Sequence, residues 1–167
     1  MRSAIIFYSL EGNTRTAANQ LAKTLGADLF EIRTVKEYPK KGLGKFLIGG
    51  RDSSFGRLPA LQPLEVNPAD YDVVVLALPM WAGKAAAPIN SFIKSHDFGS
   101  SKVALMISSA SGDAGSCAKD LAAKLGRSVG NMATLSLTNP GRMAPAELTE
   151  QVNGFVCTLR GEAGGAF

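Results

Sequence analysis

The sequence is poor in the residues that build metal centres and disulfide frameworks. Its 167 residues include two cysteines, one histidine and one tryptophan. Cys117 and Cys157 lie far apart in the chain, with neither a C-x-x-C pairing nor the spacing of zinc ligands. We therefore expect two free thiols, as is usual in a reducing cytosol, and no metal site. The single His96 is interpreted as a surface loop residue.

Long apolar runs and the common nucleotide-binding motifs are also missing. No apolar run approaches the roughly 20 residues that cross a bilayer, so we expect no membrane contact. The apolar stretch before Ser9 is too short for a signal peptide, which indicates a cytoplasmic protein. Neither G-x-x-x-x-G-K-[ST] nor G-x-G-x-x-G occurs in the sequence, and nothing therefore indicates a nucleoside triphosphate or dinucleotide fold.

The positive charge is concentrated in one stretch, residues 36–60, which we call the basic segment. The formal net charge of the chain is +4, and this segment alone carries six cationic and two anionic side chains. Such a stretch attracts anions or an acidic partner. Nucleic acid is a weaker interpretation, because no recognised nucleic-acid module surrounds the segment. Its apolar residues Phe46, Leu47 and Ile48 could pair two subunits, so both a monomer and a homodimer remain open.

Hydrophobic periodicity predicts strands and helices that alternate along the chain. The predicted strands cover residues 3–9, 28–33, 73–78, 103–107 and 132–137, and the predicted helices cover 13–25, 88–95, 116–125 and 145–159. Residues 36–67 show weak periodicity, with one short helical turn expected near 45–48. This alternation is typical of a doubly wound α/β sheet. We expect one domain over 1–160, followed by a flexible tail over 161–167.

Three loops follow the predicted strands at the sheet edge where such folds bind ligands: 9–14, 79–86 and 108–115. The first reads Ser9-Leu10-Glu11-Gly12-Asn13-Thr14 and leads into a helix. Hydroxyl, amide and backbone donors at a helix N-terminus can hold a phosphate group without a lysine. The same residues are also typical of helix capping and tight turns. From the residues alone, both interpretations stay open.

The stretch "YSLEGNT" resembles the phosphate loop of the flavodoxin family, (S/T)-x-(S/T)-G-N-T, and departs from it at Glu11. "YDVVVLALPMWAGKAAAPINSFI" is similar to the third strand, second flavin loop and following helix of that family. The resemblance implies a three-layer fold with a five-stranded parallel sheet in the order 2-1-3-4-5. It also implies FMN as cofactor, bound at its phosphate by the residues Ser9, Leu10, Glu11, Gly12, Asn13 and Thr14. Glu11 should turn outward and offer only its backbone N–H.

The other two loops are expected to hold the flavin ring. Candidates in the second loop are Pro79, Met80, Trp81, Ala82 and Gly83, and in the third loop Ser109, Ala110, Ser111 and Gly112. Trp81 is the predicted stacking partner of the ring, although it could instead cover the sheet edge. Asp113 is interpreted as a helix cap. The other face of the ring could be covered from the basic segment, by Tyr38, Phe46 or Phe55.

Three functions compete on this fold. The first is an FMN electron carrier that serves a redox partner protein. The second is an FMN-dependent reductase that uses NAD(P)H and a quinone-type acceptor. The third is a non-redox binding module. Typical carriers of the family are acidic, whereas the pI here is about 9.2. The basic charge favours a reductase or a carrier with acidic partners. No side chain is predicted to be catalytic.

Overall fold

The computed structural model describes residues 1–39 and 43–161, without the side chains of residues 43–47. Its strands are β1 (Ser3–Phe7), β2 (Asp28–Glu31), β3 (Val73–Trp81), β4 (Lys84–Ala85), β5 (Lys102–Ser109) and β6 (Thr134–Thr138). Its helices are α1 (Asn13–Leu25), α2 (Leu43–Ser54), α3 (Ala87–Ser95), α4 (Gly115–Lys124) and α5 (Pro145–Arg160). Of the tail predicted over 161–167, residues 162–167 lie outside the described residues.

The sheet has the predicted parallel order. Its strands run β2-β1-β3-β5-β6, and all four pairings between these neighbours are parallel. Counted along the chain without β4, this is the order 2-1-3-4-5. The short β4 pairs only with the end of β3 and is antiparallel to it. The predicted fold class is therefore confirmed, with one added strand that the apolar pattern did not indicate.

Two apolar layers sandwich the sheet, because the side chains of its strands alternate between opposite faces. One layer holds α1 and α5, represented by Ala17, Leu21, Val152 and Phe155. The other holds α3 and α4, represented by Ile89, Phe92, Ala118 and Leu121. Within the described residues, no helix is long and apolar enough to cross a membrane. Every residue of β1 is buried, as expected of a strand covered on both faces.

The basic segment contains a longer helix than the sequence predicted. Instead of one turn near 45–48, α2 spans twelve residues. Among residues 48–54, whose side chains the structure describes, the buried positions of this helix are Gly49 and Ser53, which are small rather than apolar. A Cβ at Gly49 would lie 3.2 Å from Cε3 of Trp81, which shows how closely the helix packs. Small buried residues add nothing to an apolar periodicity, so the sequence pattern was weak over this helix.

The thiol of Cys117 packs into the core under α4. The side chain is buried, and burial raises the pKa of this thiol from 9.0 to about 12, with a further contribution from the negative charge of Asp120. The position of Cys117 in the first turns of a helix could have favoured a thiolate. The structure confirms the alternative, a packing role. Cys157 is partly exposed, and both cysteines are free.

We predict that Cys117 resists alkylation in the native protein. At about pH 8, iodoacetamide should label Cys157 first, because the buried thiol of Cys117 stays protonated. Mass spectrometry after brief labelling checks this, and unfolded protein labelled at both thiols is the control. The raised pKa also implies that the stability contributed by Cys117 is present below pH 9 and lost as pH rises towards 12. Fast native labelling of Cys117 would contradict the assignment.

Candidate functional site

A cleft of about 780 Å³ opens at the carboxyl edge of the sheet. This volume lies within the range of about 300–1,000 Å³ that is typical of cofactor and ligand sites. Four loops line it, each following a parallel strand. The lining residues are Ser9, Leu10, Glu11, Asn13, Thr14, Gly50, Pro79, Met80, Trp81, Ala82, Ser108, Ser109, Ala110, Asn139, Pro140 and Arg142. The structure thus brings the three predicted loops together and adds a fourth.

The first loop both caps α1 and keeps hydrogen-bond donors for a ligand. Gly12 has a φ of 99°, and its N–H donates to Oγ of Ser9 over 3.1 Å. The N–H of Arg15 donates to the same oxygen over 3.2 Å, so the Ser9 side chain caps the helix. Among the described residues, no acceptor is found for the backbone N–H groups of Asn13 and Thr14. The two interpretations of this loop are therefore compatible.

A chain of hydroxyl groups ties the first loop to the third. Oγ1 of the buried Thr14 lies 2.7 Å from Oγ of Ser108, and Ser108 can donate to the carbonyl oxygen of Leu78 over 3.3 Å. While Ser108 donates to Leu78, the Thr14 hydroxyl donates to Ser108. If Ser108 turns its proton to Thr14 instead, the Thr14 hydroxyl becomes a donor for an anion in the cleft. The long bond to Leu78 is the weaker of the two and is easily given up.

The loop between β6 and α5 forms a fourth wall that the sequence analysis missed. It contributes Asn139, Pro140 and Arg142 to the cleft. A Cβ at Gly141 would lie 2.1 Å from Oδ1 of Asn13, so only glycine lets this loop pack against the first one. In sequence these residues show a turn but no ligand motif. These residues lie beside the first loop because α1 and α5, the helices that follow the two loops, pack against each other.

Trp81 is fixed at the end of β3 by two tyrosines and a glycine. Its ring lies edge-on to Tyr8, with 5.7 Å between centroids, and to Tyr38, with 5.2 Å. Tyr38 donates to Oδ2 of Asp52 on α2 over 3.1 Å. Burial raises the pKa of both tyrosines, so both rings are neutral at ordinary pH. Gly49 packs on the indole. Trp81 lines the cleft as predicted, and ring stacking stays a prediction.

A tight hairpin sets the direction of Trp81. Trp81 pairs with Lys84, and the two residues between them have left-handed φ values, 49° at Ala82 and 75° at Gly83. This is the type I′ pattern of a two-residue hairpin. Alanine is unfavourable in this conformation by roughly 1–2 kcal/mol. Gly83 does not line the cleft; its carbonyl oxygen accepts a hydrogen bond from Ser116 over 3.3 Å.

The third loop divides between the cleft and β6. Ser109 and Ala110 line the cleft, whereas Ser111 and Gly112 do not. Gly112 faces β6, and a Cβ there would lie 2.6 Å from Oγ1 of Thr138. Asp113 accepts a hydrogen bond from the N–H of Gly115 over 3.0 Å, but Ala114 occupies the N-cap position of α4, so the predicted cap lies one residue before the actual one.

From its described residues, the basic segment supplies the cleft with backbone rather than aromatic surface. Gly50 of α2 lies in the lining, and Tyr38 reaches the cleft only through Trp81. Phe55 does not line the cleft, and 77% of its surface is exposed. The side chain of Phe46 lies outside the described residues. Of the residues expected to cover the second ring face, neither Phe55 nor Tyr38 is therefore part of the cleft lining, and the cover of that face stays a prediction.

We predict that Gly141→Ala destabilises the protein, whereas Gly154→Ala does not. The new Cβ at Gly141 would displace Asn13, and overpacking of this kind costs about 1–3 kcal/mol. Gly154 lies within α5, where a Cβ would meet no atom within 4 Å, so alanine there should stabilise the helix by up to about 1 kcal/mol. Urea unfolding measures both free energies. Equal effects of the two substitutions would refute the close contact with Asn13.

Known proteins share both the sequence pattern and the fold. No curated protein is significantly similar in sequence. A Bacteroides eggerthii protein described as a flavoprotein aligns with a TM-score of 0.73 and 22% identity, covering 92% of this chain and 97% of its own. The Lactobacillus acidophilus flavoprotein in complex with FMN aligns with a TM-score of 0.66 and 19% identity, covering 82% of this chain and 91% of its own. Fusobacterium nucleatum flavodoxin bound to FMN aligns with a TM-score of 0.57 and 14% identity, covering 97% of this chain and 99% of its own. The sequence matches the flavodoxin family over residues 2–153, and the chain therefore belongs to that family.

Proposed function

We propose that this chain binds FMN in the cleft and transfers electrons as a flavodoxin-like protein. The observation that carries this proposal is a single cavity with anion donors at one wall and an apolar, aromatic surface at another. Structures of similar fold from Lactobacillus acidophilus and Fusobacterium nucleatum contain FMN. A cleft of about 780 Å³ has room for a flavin nucleotide.

The N-terminus of α1 would hold the phosphate. Its backbone N–H groups at Asn13 and Thr14 carry the positive end of the helix dipole. The Ser9 hydroxyl accepts two N–H bonds and keeps its own proton for a phosphate oxygen. Bonds to a charged oxygen are about twice as strong as neutral ones. Glu11 is exposed and lines the cleft, so its carboxylate has to point away from the phosphate.

The second and third loops would hold the ring. Pro79, Met80 and Trp81 offer an apolar surface to a flat aromatic group, and Ser109 and Ala110 are small enough for close approach. When bound, FMN supplies reversible electron or hydride transfer. The protein residues bind it, orient it and exclude water, and no acid or base is needed among them.

The exposed cations of the basic segment support an acidic redox partner. Arg51 and Arg57 are 51% and 60% exposed, and both lie 3.6 Å from Asp52. Phe55 stands beside them with its apolar surface in solvent. Two copies of such a face would repel each other, which favours a different, acidic protein. The same charge favours the second candidate, a reductase that takes hydride from NAD(P)H and passes electrons to a quinone-type acceptor. The free cysteines support a reducing compartment such as the cytoplasm.

We predict that purified protein loaded with FMN keeps a yellow flavin after the excess is removed. The emission of Trp81 should be quenched as FMN binds. Thr14→Ala removes the hydroxyl beside Ser108 and should weaken FMN binding about tenfold or more. Thr24→Ala is the matched control on the same helix, because its hydroxyl donates only to the carbonyl oxygen of Gln20. Folded protein that retains no flavin would make the non-redox module the leading function.

We also predict that charge governs electron transfer out of the loaded, chemically reduced protein. Added salt should slow the oxidation of the protein by ferricyanide, an anion, and should not slow its oxidation by the cation hexaammineruthenium(III). Arg51→Glu with Arg57→Glu should slow ferricyanide several-fold. Lys102→Glu should not slow it, because Lys102 begins β5 and the cleft lies at the other end of that strand. Stopped-flow absorbance measures the rates. Parallel assays with NADH and NADPH separate a reductase, which turns over, from a carrier, which does not.

A further inference from the structure

One exposed arginine lines the cleft beside the predicted phosphate loop. Arg142 lines the same cavity as Asn13 and Thr14. Its sequence neighbour Gly141 packs directly against the Asn13 side chain. Among the described residues of the lining, Arg142 is the only cation and Glu11 is the only anion. The phosphate loop itself contains no lysine or arginine before Arg15, so Arg142 supplies what that loop lacks.

The backbone around Arg142 is held in place by both neighbouring loops. The N–H of Asn139 donates to the carbonyl oxygen of Ser109 over 2.9 Å, which ties the turn to the end of β5. The N–H of Arg142 donates to the carbonyl oxygen of Asn139 over 2.8 Å and closes the turn. Asn139 has a φ of 45°, a left-handed conformation that asparagine tolerates better than most residues. The turn is therefore built to a fixed position.

The guanidinium is available for a ligand. Among the described residues, no carboxylate forms an ion pair with Arg142. A planar guanidinium can donate two parallel hydrogen bonds to a phosphate, a geometry that ammonium cannot match. A second cavity, of about 360 Å³, shares Arg142 with the cleft and contains Glu147. Arg142 could turn towards Glu147 when the cleft is empty.

From this geometry we propose that Arg142 binds the phosphate of FMN and makes the cleft select FMN over riboflavin. This inference rests on the proposed function and adds a charged contact to the neutral donors of the first loop. The phosphate would lie between the N-terminus of α1 and the turn that carries Arg142. Selectivity follows because riboflavin has the same ring and side chain but no phosphate, and so gains nothing from the guanidinium.

The test compares two flavins and three proteins by isothermal titration calorimetry on the apoprotein. Arg142→Gln should weaken FMN binding about tenfold to a hundredfold and leave riboflavin binding within about twofold. Arg127→Gln is the matched control, because Arg127 donates to the carbonyl oxygen of Gly99 away from the cleft. It should bind both flavins like the natural protein. Raising the salt concentration should weaken FMN binding more in the natural protein than in Arg142→Gln.

Each other outcome has a distinct meaning. Equal loss of FMN and riboflavin in Arg142→Gln would show that the residue supports the shape of the cleft, and it would overturn the proposal. Unchanged FMN binding would do the same and leave Arg142 facing the second cavity, where Glu147→Gln can then be examined. If the natural protein binds neither flavin, the proposed function fails as well. If the natural protein binds FMN and Arg142→Gln keeps the same preference for FMN over riboflavin, only the role of Arg142 fails.

Discussion

The parallel alignment of five strands is the constraint on which the rest of the structure depends. The carboxyl ends of parallel strands in one sheet lie at the same edge, so the polar connections that follow them meet there. Chain segments more than ninety residues apart are brought together in this way. The hydroxyl pair of Thr14 and Ser108 and the contact of Asn13 with Gly141 both span such distances. The cleft is thus a consequence of strand order and loop chemistry together.

Glycine determines how closely the walls of the cleft approach one another. Gly49 lets α2 lie on the indole of Trp81, Gly141 lets the fourth loop meet Asn13, and Gly112 lets the third loop meet Thr138. In each case a Cβ would come within 3.2 Å of the neighbouring side chain. These contacts hold Trp81 and Asn13 in defined positions before any ligand arrives, which lowers the entropic cost of binding. Ala82 and Asn139 have left-handed φ values, which also help to fix the cleft walls, at a small cost in backbone strain.

The sequence predicted what depends on periodic burial and local turn chemistry. Helix α1 has the predicted bounds, and Gly26 ends it in the left-handed conformation. The strand order followed from a family resemblance carried by two short motifs. Contacts between small residues left no such signal: α2 buries glycine and serine, so its length was underestimated. Arg142 was missed because it becomes a candidate ligand residue only through its position next to α1. That position is a tertiary contact, which no sequence spacing indicates.

The cations of this chain divide by position, and position decides how each can act. Arg51 and Arg57 are exposed on the outer side of the basic segment, where water and salt screen their charge beyond about 8 Å at physiological ionic strength. They can speed the approach of an anionic partner but contribute little to holding it. Arg142 is also exposed, but it lines the cleft beside the N-terminus of α1, so the phosphate contact proposed for it would be a direct one. The roles proposed for these cations are therefore separate: steering of a partner outside the cleft by Arg51 and Arg57, and anion binding at its lining by Arg142.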